Sequence, residues 1–297
     1  DKGCTEMREN MEQHFNTPAE VIDNNMKAGE GKAHLPLGKM ILLGIMAGAF
    51  IALGGATSST AAHAIDNVGL ARFVAGIIFP VGLMIIVFVG GELFTGNCLI
   101  VMDVVGKKVT WFECIRNLIV VYFSNLIGAL IIDTLICFSG NLDYTGGLLG
   151  AYAIKVAVGK VGISPLKGIT SGILCNILVC IAILMAAAAT DIVGKIWAIF
   201  FPIMAFVVGG FEHCVANMFY IPAGMMAAQN PAYVAKAQEA YGLTAEQIQG
   251  LTVLHSLNNF IPVTIGNILG GMVFVGIPCY FIYKKKWQKW HEESKNA

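Results

Sequence analysis

The residues with chemistry to offer are few, and most sit in one stretch. GGFEHCVAN, Gly209 to Asn217, sets a glutamate, a histidine and an asparagine inside a hydrophobic region too long for a soluble core. No charge occurs from Ile196 to Phe211 or from Cys214 to Ala235. Ionisable groups at such depth are costly in lipid, so they normally face a cavity, a pathway or a partner. A second stretch, GGELFTGN from Gly90 to Asn97, repeats the pattern: Glu92 stands five residues before Asn97, as Glu212 does before Asn217.

The two glutamates read as scaffold. Each can accept hydrogen bonds from N–H groups freed at a helix break, whereas a carboxylate facing a pore would repel anions. Asn97 and Asn217 are natural partners for backbone groups at the same breaks. His213 is different, because Leu93 holds the matching place in the first stretch. A lone histidine is commonly a satisfied core residue; beside a helix break in lipid it reads as a functional donor. Thr95, in the opposite break, can present a hydroxyl to the same cavity. Phe79, Leu83 and Leu93 from one half and Phe206 from the other are candidates for dry constrictions, although any one alone would suit ordinary packing. Asp133 receives no role.

The elements that must position these residues are membrane spans. Across 297 residues the mean hydropathy is +0.70, with 56% hydrophobic and 13% charged residues. That balance excludes an ordinary globular enzyme and points to an all-α polytopic membrane protein. Net charge is zero and no basic block suits nucleic acid. The eight cysteines mostly lie in apolar runs without metal-type spacing, so they read as small buried hydrophobes rather than disulfides. No metal, cofactor or catalytic residue is expected.

The first 39 residues are polar and mixed in charge, so insertion is expected to begin with the first span rather than a signal peptide. Within them, Thr17-Pro-Ala-Glu20 starts an amphipathic helix expected to lie at the membrane surface. Six spans follow: Met40 to Ala62, Phe73 to Met102, Phe112 to Ser139, Gly168 to Thr190, Ile196 to Ala228 and Leu251 to Tyr283. The second breaks at Gly90-Gly91-Glu92 and the fifth at Gly209 to Glu212. Loop lysines and arginines, including Lys284 to Lys286, put both termini in the cytoplasm, with Trp287 and Trp290 as an interfacial anchor.

Laying one half on the other exposes a repeat. GIMAGAF from Gly44 matches GITSGIL from Gly168; Pro80 with GGELFTGN matches Pro202 with GGFEHCVAN; Asn125-Leu-Ile-Gly128 matches Asn267-Ile-Leu-Gly270. The expected organisation is an N-terminal segment 1–39, a three-helix repeat 40–139, a connecting loop 140–163, a second repeat 164–283 and a basic tail 284–297. Three spans is an odd number, so the second repeat inserts inverted, and the paired broken helices meet near the midplane to line a pathway.

GGELFTGN, GFEHCVANMFYIPAG (Gly210 to Gly224), NLIGA from Asn125 and NNFIPVTIGNILGG (Asn258 to Gly271) resemble the formate–nitrite transporter family of formate, nitrite and hydrosulfide channels, over residues 16 to 286. The resemblance implies an aquaporin-like six-helix protomer with its own pore, assembled as a homopentamer in the cell membrane. It implies that His213 is the central pore histidine, Thr95 its partner, and Asn176 and Asn217 polar neighbours. Phe79 and Phe206 would form the outer constriction, Leu83 and Leu93 the inner one, and Lys160 would draw anions to the mouth. Lys155 and Lys167 have no such counterpart. The break reads ELFTGN where some formate channels read DLFTS.

The expected function is a passive or proton-coupled conduit for the monovalent anion of a weak acid, formate first, with nitrite and hydrosulfide as alternatives. Lys160 would concentrate the anion, the phenylalanines would strip its water, and protonation near His213 and Thr95 would let the neutral acid cross. A neutral-solute channel for water or glycerol is the reading that inverted repeats alone would allow. A metal site of His213 with Cys214 or Cys175 is disfavoured, because adjacent helical residues point about 100° apart.

Overall fold

A computed structural model describes residues 15–283. The basic run Lys284 to Lys286 and the anchors Trp287 and Trp290 lie outside the described residues. Among these the chain is helical, apart from one antiparallel bridge between Phe15 and Ala189, and it holds six helices long and apolar enough to span a membrane.

Helix α1 (Pro18–Ala33) opens with a capping box: Glu20 accepts from the Thr17 amide and hydroxyl, both at 2.7 Å. The Thr17 bonds hold the Glu20 carboxyl below the usual carboxylate range. The helix does not spread its apolar face on lipid, as the sequence suggested. Ile22 and Met26 are buried against Leu99, Met102, Val275 and Tyr280 of the same chain.

The first span is α2 (Leu37–Ala62). The second is α3 (Val68–Ile78) and α4 (Val81–Val89), bent at Pro80, and it resumes beyond a break as α5 (Phe94–Asn97) and α6 (Val101–Val105). The third is α7 (Trp111–Phe138). The segment read as a connecting loop carries helix α8 (Tyr144–Val161), entered through left-handed Thr145, Gly146 and Gly147. The fourth span is α9 (Pro165–Ala188); the fifth is α10 (Ile192–Gly209), resuming as α11 (Cys214–Ala227). Two short helices unforeseen in the sequence, α12 (Pro231–Tyr241) and α13 (Ala245–Gln249), join it to the sixth, α14 (Val253–Ile268), which runs through a π-helical stretch (Leu269–Gly276) into α15 (Ile277–Tyr283).

Two glycine-mediated crossings hold the spans. A side chain at Gly48 would run into the Asn125 backbone, and one at Gly128 into the Ile45 carbonyl, so α2 and α7 meet backbone to backbone. Gly266 and Gly270 make the same approach to the Ile169 and Ile173 carbonyls of α9. Small residues serve this purpose in membranes, where close packing replaces the hydrophobic drive. The crossings also correct the repeat register. Ile45 corresponds to Ile173, so Gly44 pairs with Gly172, one turn beyond the Gly168 that the sequence motif suggested. Glycines spaced by four residues match equally well a turn apart, and only the partners across the crossing choose between them.

Candidate functional site

Both breaks are built alike. Helix α4 stops at Gly90 with φ 103° and α10 at Gly210 with φ 69°, a region that favours glycine. An extended segment then leads to Leu93 (φ −105°, ψ 123°) in one break and His213 (φ −110°, ψ 115°) in the other, each the N-cap of the next half-helix.

The freed backbone groups are not taken by the glutamates, as the sequence suggested. They are taken by asparagines on the neighbouring spans. Asn125 Oδ1 accepts from the Phe94 amide at 3.0 Å, and its Nδ2 donates to the Gly44 and Glu92 carbonyls at 2.7 and 2.9 Å. Asn267 Oδ1 accepts from the Cys214 amide at 2.9 Å, and its Nδ2 donates to the Gly172 and Glu212 carbonyls at 2.8 and 3.0 Å. Each side chain uses both its acceptor and its donors, which is why an amide rather than a carboxylate serves here.

The glutamates anchor lysines instead. Lys32 Nζ lies 3.1 Å from Glu92 Oε1 and donates to Asn97 Oδ1 at 3.0 Å. Asn97 Nδ2 donates to Glu92 Oε2 at 2.6 Å and to Asn117 Oδ1 at 2.8 Å, and Asn117 returns a bond to the Lys32 carbonyl at 3.0 Å. The second break repeats this with Lys160 on both Glu212 oxygens at 3.1 Å, Asn217 on Glu212 and Asn259 at 2.7 Å, and Asn259 on the Lys160 carbonyl at 3.0 Å.

Two expectations change as a result. Asn217, expected at the pore centre, is tied into this scaffold through its Nδ2, which is committed to Glu212 and Asn259. Lys160 is not a free charge at the mouth, because Glu212 neutralises it. Lys32, Asn117 and Asn259 were missed in the sequence. Their signal was there: Lys32 precedes Gly44 by the same interval as Lys160 precedes Gly172, and Asn117 and Asn259 stand at matching places before Asn125 and Asn267.

The asymmetry lies where the two breaks meet. His213 Nε2 and Thr95 Oγ1 are 2.9 Å apart, one from each break. His213 Nδ1 accepts from the Ala216 amide at 3.0 Å, capping α11. Nδ1 therefore carries no proton, and Nε2 donates to Thr95, leaving the threonine O–H to serve another acceptor. Asn176 supports this pair from behind: its Nδ2 donates to the Thr95 carbonyl at 3.2 Å and to the Asn267 carbonyl at 2.6 Å. It positions Thr95 and has no amide hydrogen left over for a substrate.

Above the pair, the Phe206 ring stacks on His213 at 5.8 Å between centroids and meets Phe79 edge-on at 5.5 Å. Phe79 and Phe206, expected from the sequence to constrict a pathway, thus touch each other directly over the histidine. Leu83 and Leu93 are buried in the same apolar core. Among the described residues, no group of His, Cys, Asp or Glu is arranged to hold a metal ion.

The family model described as "Formate/nitrite transporter" matches residues 19–281. The chain is 36% identical over 266 residues to the formate channel FocA of Haemophilus influenzae, covering 88% of this chain and 92% of that one. It is 35% identical over 274 residues to FocA of Escherichia coli K12, covering 91% and 95%. A solved structure described as a pentameric formate channel with formate bound superposes with a TM-score of 0.75 at 35% identity, covering 83% of this chain and 97% of that chain.

Proposed function

The chain belongs to the formate/nitrite transporter family, and on that premise we propose that it is a multi-pass membrane channel for the monovalent anion of a small weak acid, formate first. The observation that carries this reading is the 2.9 Å contact between His213 and Thr95 beneath the Phe79–Phe206 pair. A chain of this family conducts rather than transforms its substrate.

The pore runs between the two breaks. At the phenylalanines an anion loses water without gaining a hydrogen bond, a step that strongly penalises a bare charge. Just beyond, the Thr95 hydroxyl can donate to the carbonyl oxygen of the arriving acid while His213 holds the threonine oxygen in place. His213 acts here as a fixed donor. Accepting a proton at Nδ1 would first break the bond from the Ala216 amide, so the proton that neutralises the substrate comes more cheaply from water at the mouth. Leu83 and Leu93 then face a neutral acid.

Each repeat contributes three spans, so the second crosses the bilayer in the opposite sense, with both termini on the cytoplasmic side. Five copies around an axis, each with its own pore, is the proposed assembly, by likeness to the pentameric formate channel. Nitrite and hydrosulfide share the needed chemistry and are the competing substrates.

The test is flux through proteoliposomes. Formate is expected to cross faster than nitrite, hydrosulfide or glycerol, and His213→Leu is expected to stop it. Glycerol swelling without formate flux would return the protein to the neutral-solute class.

A further inference from the structure

His213 and Thr95 touch at 2.9 Å, yet the break that carries Thr95 cannot hold itself in place. Helix α5 is a single turn, Phe94–Asn97, too short to be stable alone, so outside contacts set where Thr95 stands. Resting on the proposed anion conduit, we propose that Tyr122 and Thr264 form a strut between the two halves of the protein. It holds Thr95 against His213 and so sets which acids the pore centre admits.

The contacts close a ring. The residue after His213 is Cys214, whose amide donates to Asn267 Oδ1 at 2.9 Å. Thr264 lies three residues before Asn267, on the same side of α14. Its Oγ1 is 3.1 Å from the Tyr122 hydroxyl of α7. Three residues beyond Tyr122 is Asn125, whose Oδ1 accepts from the Phe94 amide at 3.0 Å, and Phe94 precedes Thr95. The Tyr122 ring also meets the Phe94 ring edge-on at 5.0 Å. Every step is a hydrogen bond, a ring contact or about one helical turn, and the His213–Thr95 contact completes the circuit.

Tyr122 and Thr264 are also equivalent positions of the two repeats, each three residues before the asparagine that seals its break. A contact between equivalent positions lies on the axis that relates the repeats, so a movement of either half alters it. Each helix packs chiefly within its own half, α7 on α2 and α14 on α9, and this bond ties one sealing helix directly to the other. Both hydroxyls lie at the depth of the breaks, where lipid supplies no hydrogen bond, so each depends on the other. Without the strut the ring loosens and the two breaks can part. Formate carries a hydrogen where acetate carries a methyl group, and a close-fitting pocket separates ligands differing by one such group by about tenfold or more. Tyr122 and Thr264 are therefore positioning residues whose effect is read in selectivity.

The experiment compares formate and acetate uptake into proteoliposomes, with the melting temperature in detergent measured beside it. Tyr122→Phe with Thr264→Val removes both hydroxyls, keeps both shapes and leaves no polar group unpaired. The melting temperature should stay close to the parent's, while the acetate-to-formate rate ratio rises about three- to tenfold. Thr264→Ser keeps the hydroxyl and should show the parent ratio. Thr264→Val alone also breaks the bond, should raise the ratio, and gives an independent reading if the double variant folds poorly. A parent-like ratio in the variants that lack the bond would overturn the proposal. So would an equal loss of both fluxes in step with folded protein, since that result leaves the pair a structural role alone. Parent vesicles that take up no formate would remove the conduit reading itself, a separate and distinguishable result.

Discussion

The Lys160 ammonium lies 3.1 Å from both carboxylate oxygens of Glu212, with side chains only 16% and 11% exposed. Lys160 arrives from α8, outside the span that carries the glutamate, so the pair ties a peripheral helix to break 2. Lys32 does the same from α1 to Glu92 in break 1. In each case a helix that does not span the membrane locks the shape of one that does.

Removing Lys160 leaves Glu212 buried with no counter-charge, a change that costs about 3 kcal/mol. Lys160→Ala is therefore expected to lower the melting temperature in detergent and to reduce formate flux equally at low and high salt. Adding Glu212→Gln should recover much of the lost stability, because a neutral amide needs no cation. A normal melt with loss of flux confined to low salt would return Lys160 to an anion-steering role.

The asparagines that seal the breaks should be costly to replace. Asn267→Leu strands the Cys214 amide and the Gly172 and Glu212 carbonyls together, at about 1–3 kcal/mol for each group left unpaired. Expression of folded protein and its melting temperature should fall sharply. Asn267→Asp keeps the acceptor for Cys214 and loses both donors, so it should fall between parent and leucine. Equal behaviour of all three would mean that solvent reaches this break.

Much of this architecture was legible in the sequence because its rules are local. Span length, the paired Gly-Gly breaks and the Glu-to-Asn spacing each follow from one short stretch. What was not legible depends on partners far apart in the chain. Nothing near Glu212 announces Lys160, and nothing near Phe94 announces Asn125, although the repeat placed both asparagines at equivalent points. The helical register of Gly44 failed for the same reason, since a four-residue glycine period cannot distinguish Gly168 from Gly172. Helix α8 was hidden by Gly146 and Gly147, which read as loop and instead bend the chain into the helix.

Positive φ at the two break glycines gives a sharper contrast. Gly90→Ala and Gly210→Ala each place a side chain in a left-handed or unfavourable region, costing about 1–2 kcal/mol. Only at Gly210 would the new side chain also displace the Arg72 guanidinium. Gly210→Ala should therefore lower the melting temperature in detergent more than Gly90→Ala does. Equal melting temperatures would show that the Arg72 guanidinium swings aside from the new side chain without cost.

His213 performs two tasks, and substitution can divide them. Its Nδ1 caps α11 through the Ala216 amide, and its Nε2 donates to Thr95. His213→Asn retains a capping acceptor of the favoured kind but is too short to reach Thr95, so stability should hold while flux falls. His213→Leu loses both, with an added cost of about 1 kcal/mol for the missing cap. The same pair tests the proton path. If the proton comes from solvent, flux limited by neutral acid should drop about tenfold per pH unit above the acid's own pKa, and His213→Asn should keep that slope at a lower rate. A slope lost along with the imidazole would make His213 the proton carrier and would require the Ala216 bond to open in each cycle.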